Sequence, residues 1–126
     1  MLVLCHIAAL LAALLHVLIW VMESLRFSRP EVYRRFMVPD AATAEAIRPW
    51  AFNQGFYNLF LAIGTITGLV LWASDHDAAG KALVAFGCGS MLAAALVLIA
   101  TDRRMVRAAA VQGLLPLVAL VALPFA

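Results

Sequence analysis

The sequence predicts an all-α fold, a single bundle of four transmembrane helices. Of its 126 residues, 66% are apolar and only 13% are charged, and the mean hydropathy is +1.00. Soluble domains are about half apolar and about a quarter charged, so this composition is typical of an integral membrane protein. A span needs roughly 20 apolar residues. A chain of this length therefore holds about four spans with short connections and no separate soluble domain.

The first predicted span covers about residues 2–22 and ends at Glu23 and Arg26. A secretory signal would begin with basic residues and end at a small-residue cleavage site after a shorter apolar core. This segment has neither feature, so we expect it to be retained as a membrane span.

The connection at residues 26–49 is the longest polar segment, and we expect short amphipathic helices in it at the membrane interface. Residues 28–31 have the spacing of a capping box, with Pro30 in the first turn. The segment could be a solvated loop or could bind lipid headgroups specifically. Its apolar residues, expected to face headgroups or the bundle, are Phe27, Val32, Tyr33, Phe36 and Met37, and those expected to face water are Arg29, Arg34 and Arg35.

The remaining spans are predicted at about residues 50–73, 82–101 and 105–125. The Arg-Pro pair at residues 48–49 is the start signal for the second span. In the fourth, Pro116 cannot donate a backbone hydrogen bond, so we expect a bend there.

Small residues in the second and third spans indicate close helix packing. Gly64 and Gly68 form a Gly-x-x-x-Gly pattern in the second span, and Gly87 lies in the third. Such residues let another helix approach closely. They permit a homo-oligomer through Gly64, Gly68 and Gly87, without predicting one.

Basic residues are distributed unevenly among the three connections, and this predicts the orientation. The middle connection carries only Lys81, beside Asp75 and Asp77. The positive-inside rule therefore places the first and third connections in the cytoplasm and both termini outside. The deciding residues are Arg26, Arg29, Arg34, Arg35 and Arg48 in the first connection, and Arg103, Arg104 and Arg107 in the third.

Polar side chains converge on the cytoplasmic half of the predicted bundle. The motif Asn-Gln-Gly-Phe-Tyr-Asn at residues 53–58 opens the second span. An amide or phenol that faces hydrocarbon without a partner loses several kcal/mol, so these groups must face helices, water or a ligand. His16 and Asn58 lie at roughly the same depth, about 15 Å from the cytoplasmic boundary. The residues nearer that boundary are Glu23, Asn53, Gln54 and Gln112.

The whole chain resembles an uncharacterised bacterial family of membrane proteins, catalogued as domain of unknown function 1304. The motif at residues 53–58 is its specific part. The family's last motif tends to read Gln-Gly-x-Pro-Ala, so this chain has an extra residue before Pro116. The resemblance implies a four-span protein of the bacterial inner membrane and implies no activity. Besides the motif, it is carried by His16, Glu23, Phe60-Leu61-Ala62, Thr101 and Gln112-Gly113-Leu114-Leu115-Pro116.

Two residues are candidate catalytic groups. His16 could carry a proton, act as a general base or ligate a metal or haem; it could equally be a neutral histidine, bonded to Tyr57 or Asn58, that keeps the bundle in register. Tyr57 with His16 would form an acid/base pair if the two side chains touch.

The other polar residues are candidate ligand-binding groups. Glu23 could line a pocket or pair with Arg26, Arg48 or Arg104. The amides could bind the polar group of a ligand or only hold helices together; they belong to Asn53, Gln54, Asn58 and Gln112.

Three classes of function agree with these patterns. The first, which we favour, is a membrane protein that binds or transforms a lipophilic small molecule in the cytoplasmic-side pocket. The second is a small proton-coupled exporter, and the third a structural or assembly protein without a ligand. The net charge of +2 reflects the ordinary cytoplasmic bias, so no nucleic-acid partner is predicted. The sequence predicts no metal site and identifies no cofactor.

Overall fold

The fold is a bundle of four long helices without β-strands. A computed structural model describes all 126 residues. Four segments are long and apolar enough to cross a membrane: Leu2–Leu25, Ala41–Ala73, Asp77–Thr101 and Arg103–Phe125. The predicted fold class is therefore confirmed. The α-helices are α1 (Leu2–Trp20), α2 (Pro30–Tyr33), α3 (Ala41–Ala73), α4 (Asp77–Thr101) and α5 (Val106–Ala122).

Short helical turns of other types continue or join these helices. A π-helical turn, Val21–Leu25, continues α1, and the 3-10 turn Arg34–Phe36 follows α2. Two more 3-10 turns, Arg103–Met105 and Leu123–Phe125, flank α5. The long helices are neighbours in a ring, in which α1 and α4 each pack against both α3 and α5. Helices joined by such short connections run antiparallel.

The core is built mainly from small side chains. Ala8, Ala9, Ala12 and Ala13 form the buried face of α1, whereas its leucines are mostly on the exposed face. Lipid is as apolar as leucine, so helices in membranes gain by close packing of small residues and not by hiding large apolar ones. The bundle interior follows that rule.

Glycines bring α3 and α4 together. A Cβ added to Gly68 would lie 2.8 Å from the Leu83 Cβ, and one added to Gly87 would overlap the Thr65 side chain. Gly68 and Gly87 thus pack against the neighbouring helix inside the bundle. A Cβ on Gly64 would meet nothing within 4 Å.

The beginning of α3 differs from the prediction. The helix begins at Ala41, and the expected start signal fails because Pro49 lies inside the helix. Asp40 is the N-cap: its Oδ1 accepts a hydrogen bond from the Thr43 backbone N–H at 2.7 Å. Hydrogen bonds from Thr43 hold the pKa of Asp40 below its ordinary value. This cap supplies the partner that the first turn of a helix needs.

The connection before α3 folds onto the bundle. Phe27, Tyr33, Val38 and Ala44 form a small buried cluster. The predicted capping box is wrong, because Arg29 is the N-cap of α2 and makes no side-chain cap bond. Pro30 does lie in the first turn, as expected. Packing, and not capping, therefore holds this short helix in place.

Candidate functional site

The motif at residues 53–58 lies on α3 against the end of α1. Gly55 makes the approach possible, because a Cβ there would overlap the Ser24 hydroxyl. That hydroxyl donates a hydrogen bond to the Phe52 carbonyl at 2.8 Å. The end of α1 and the beginning of the motif are thus joined directly.

Glu23 lies in the π-helical turn that ends α1. In this turn the Arg26 N–H bonds to the Val21 carbonyl at 3.0 Å, five residues back. A π-helical turn widens the helix locally, and such turns occur frequently at functional sites. Nothing in the spacing of the sequence indicates this turn.

The partner of Glu23 is an amide and not an arginine. Asn58 Nδ2 donates to Glu23 Oε2 at 2.9 Å, and also lies 3.3 Å from the Gln54 carbonyl. The expected alternative, an ion pair of Glu23 with an arginine, does not form.

The three arginines proposed as partners of Glu23 are placed elsewhere. Arg48 pairs with Glu45 at 3.1 Å, and Arg104 pairs with Asp102 at 2.7 Å, while Arg26 makes no ion pair. Hydrogen bonds from Arg104 hold the pKa of the Asp102 carboxyl below its ordinary value. Glu23 therefore has no cationic partner in the protein.

His16 is deeply buried, with 1% of its surface exposed. Its Nδ1 lies 2.9 Å from the Ala12 carbonyl, one turn earlier. A carbonyl only accepts, so Nδ1 carries the proton and the lone pair of the neutral ring is on Nε2. No hydrogen bond joins His16 to Tyr57 or Asn58, and Tyr57 is 57% exposed. The two candidate proton-transfer side chains are therefore not hydrogen-bonded to each other.

An open groove of about 650 Å³ lies where the end of α1, the connection and the beginning of α3 meet. Three predicted site residues line it: Glu23, Asn53 and Gln54. Asn58 stands behind Glu23 as its hydrogen-bond donor. The remaining lining residues are Phe27, Phe36, Val38, Ile47, Pro49, Trp50 and Ala51.

Four predicted site residues do not line the groove: His16, Tyr57, Asn58 and Gln112. Gln112 is half-buried on α5 and makes no side-chain hydrogen bond. Elsewhere in the bundle, the Trp20 Nε1 is buried without a partner, and its ring meets Phe56 edge-on at a centroid distance of 5.9 Å. No three His, Cys, Asp or Glu side chains are grouped so that they could hold a metal ion.

Sequence reasoning missed the aromatic walls of the groove. Phe27 and Phe36 belong to the connection, and their ring centroids are 5.8 Å apart. Trp50 is 82% exposed beside them. The only sequence signal for these walls is the presence of apolar residues within an otherwise polar connection. The aromatic rings reach α3 only because residues 26–40 fold back onto the bundle.

The groove combines apolar walls with a few polar groups. Its walls are mainly apolar and aromatic, and its polar groups are one carboxyl and two amides. Ligand sites commonly combine apolar walls with a few polar groups that fix orientation.

Comparison with known proteins relates the chain to one family. Residues 10–124 match the model of a family described as a protein of unknown function, DUF1304. No curated protein and no solved structure matches the chain. The match covers most of the sequence and includes at least part of every helix that forms the bundle. The protein, with its four helices of membrane-spanning length, belongs to the DUF1304 family.

Proposed function

We propose that this protein binds a lipophilic small molecule in the groove at the end of α1, the molecule entering from the bilayer. The observation that carries the proposal is the lining itself. Glu23, Asn53 and Gln54 place hydrogen-bonding groups among apolar and aromatic walls beside two membrane-spanning helices. Such groups cost several kcal/mol when they face hydrocarbon without partners. A ligand with a polar head and an apolar body satisfies both parts of the lining.

The proposal concerns binding rather than catalysis. His16 and Tyr57, the candidate proton-transfer residues, are not among the lining residues. A general acid or base must come within about 3 Å of the proton that it moves.

The exporter alternative gains no support. Glu23 is in the last turn of the segment Leu2–Leu25 and not near its middle, where alternating access would need it. The structural alternative has a specific observation in its favour. The Asn58–Glu23 and Ser24–Phe52 hydrogen bonds tie α1 to α3, and such bonds stabilise membrane bundles.

Native mass spectrometry of the protein purified in mild detergent tests the binding proposal. We expect the wild type to retain a small-molecule adduct and Asn53→Leu to lose it. Gln112→Leu is the matched control, because it removes an amide outside the groove. A wild type without an adduct, or equal loss in both variants, would refute binding in the groove. A groove variant that loses stability, with no adduct in the wild type, would support the structural role.

We further propose that the protein resides in a bacterial plasma membrane with both termini outside and the groove on the cytoplasmic side. The arginine-rich connections support this orientation. Labelling with a membrane-impermeant maleimide tests it. Cysteine replacing Ser74 should react in intact cells, and cysteine replacing Ser28 only after permeabilisation; the reverse pattern would refute the orientation. The native cysteines are both buried, so they add little background.

A further inference from the structure

We propose that the molecule held in the groove is an organic cation, a lipophilic amine or quaternary ammonium, with its positive head beside Glu23. This inference rests on the proposed function of the groove and adds the chemical class of its ligand. It follows from the balance of charge in the lining, from the hydrogen bonding of Glu23 and from the aromatic walls.

Glu23 is the only ionisable residue that lines the groove. Its single hydrogen bond comes from Asn58 and goes to Oε2, so Oε1 has no side-chain donor. A carboxylate has about four acceptor positions. One removed from water needs a countercharge or several donors to remain charged. The protein supplies one amide, and a cationic ligand would supply the missing charge.

Three aromatic residues line the groove together with this carboxyl: Phe27, Phe36 and Trp50. The faces of aromatic rings attract cations within about 6 Å, and tryptophan is the strongest. Aromatic rings combined with one carboxylate are how proteins commonly hold ammonium groups. Trp50 is largely exposed, so its ring is accessible to a ligand in the groove.

The positive charges of the arginines in the connection lie outside the groove. None of them lines the groove, and Arg48 is held by Glu45. The others, Arg26, Arg29, Arg34 and Arg35, are exposed at the surface of the protein. Charges at the surface are screened over about 8 Å at physiological salt. Screening therefore weakens the effect of those arginine charges that lie farther than this from a head beside Glu23.

The test compares three probes that share a ten-carbon tail: decylamine, decanol and decanoic acid. Binding to the detergent-purified protein is measured by native mass spectrometry and by the shift of the thermal midpoint. We expect decylamine to bind about tenfold or more tightly than the other two, since only its head can combine a cation–π contact with an attraction to the Glu23 carboxylate.

Two groove variants and one control variant show whether the preference for decylamine depends on residues of the groove. Glu23→Gln should weaken decylamine binding about tenfold and leave decanol binding unchanged. Trp50→Leu, at an exposed position that does not support the fold, should also reduce the preference for the amine. Glu31→Gln removes an exposed carboxyl outside the groove and should change nothing.

The outcomes separate the two proposals. If decanol or decanoate binds as tightly as decylamine, and Asn53→Leu abolishes that binding, the groove binds lipophilic molecules but the cation proposal is refuted. If no probe binds the wild type better than it binds Asn53→Leu, the groove itself is not a binding site. Decylamine binding that survives both Glu23→Gln and Trp50→Leu would also refute the assignment of the head position.

Discussion

Replacing Gly68 by alanine should separate α3 from α4 and destabilise the bundle. The added Cβ would lie 2.8 Å from the Leu83 Cβ, 2.9 Å from the Val84 N and 3.0 Å from the Gly80 carbonyl oxygen. Two of these atoms are backbone and cannot rotate away. The helices would have to part by roughly 0.6 Å to restore ordinary contact, and overpacking of this kind typically costs about 1–3 kcal/mol.

Gly64→Ala is the matched control, one turn earlier on the same helix. A Cβ there meets nothing within 4 Å. Both substitutions gain the same helix propensity, up to about 1 kcal/mol. The difference between the two variants therefore isolates the steric cost at Gly68.

Thermal unfolding of the purified variants in one detergent measures this difference. We expect Gly68→Ala to unfold several degrees below Gly64→Ala, because a change of 1 kcal/mol shifts the midpoint of a small domain by about 2–8 °C. Equal midpoints, or a lower midpoint for Gly64→Ala, would show that the α3–α4 contact at Gly68 is not as described.

Three further predictions concern other contacts. The pKa of Asp40 is lowered in the folded state, so its cap should protect the first-turn amides of α3 above the ordinary pKa of 3.8 and lose that protection as the pH falls further. Hydrogen exchange, corrected for the intrinsic rate, should show this loss of protection in the wild type and not in Asp40→Asn. A double-mutant cycle of Glu23→Gln and Asn58→Ala should give a coupling energy of roughly 0.6–2 kcal/mol in unfolding titrations, and a value near zero would count against their hydrogen bond. Cys5 and Cys88 should react with maleimide only after unfolding, and rapid labelling of the folded protein would contradict their burial.

The beginning of α3 lies earlier in the chain than the sequence predicts. The Arg-Pro pair at residues 48–49 is an ordinary start signal, yet the helix begins at Ala41. The Asp40 cap and the packing of Ala44 under Phe27 stabilise the additional turns. The Arg-Pro pair offered one local start signal, but the Asp40 cap, which is also local, and the contact of Ala44 with the connection together set the actual start.

The candidate site was likewise predicted only in part from the sequence. The sequence singled out the motif at residues 53–58 and Glu23, because polar groups within apolar spans need partners. The structure joins Asn58 to Glu23 and places Tyr57 outward. Helical spacing shows which residues of one helix share a face, but the rotation of one helix against another depends on packing.

The sequence by itself determined that this is an all-α membrane bundle of four spans and that its polar residues concentrate at one end, because hydropathy and charge act locally along the chain. Only the tertiary structure decided that Glu23 bonds to Asn58 and not to an arginine, and that His16 bonds to its own helix. It also decided that Phe27 and Phe36 from the connection wall a groove with Trp50. The Glu23–Asn58 bond and the groove walls depend on contacts between segments far apart in the chain, and Gly55 lets the end of α1 approach α3. The His16 bond reaches only one turn back, but helical spacing alone did not select it over a partner on another helix.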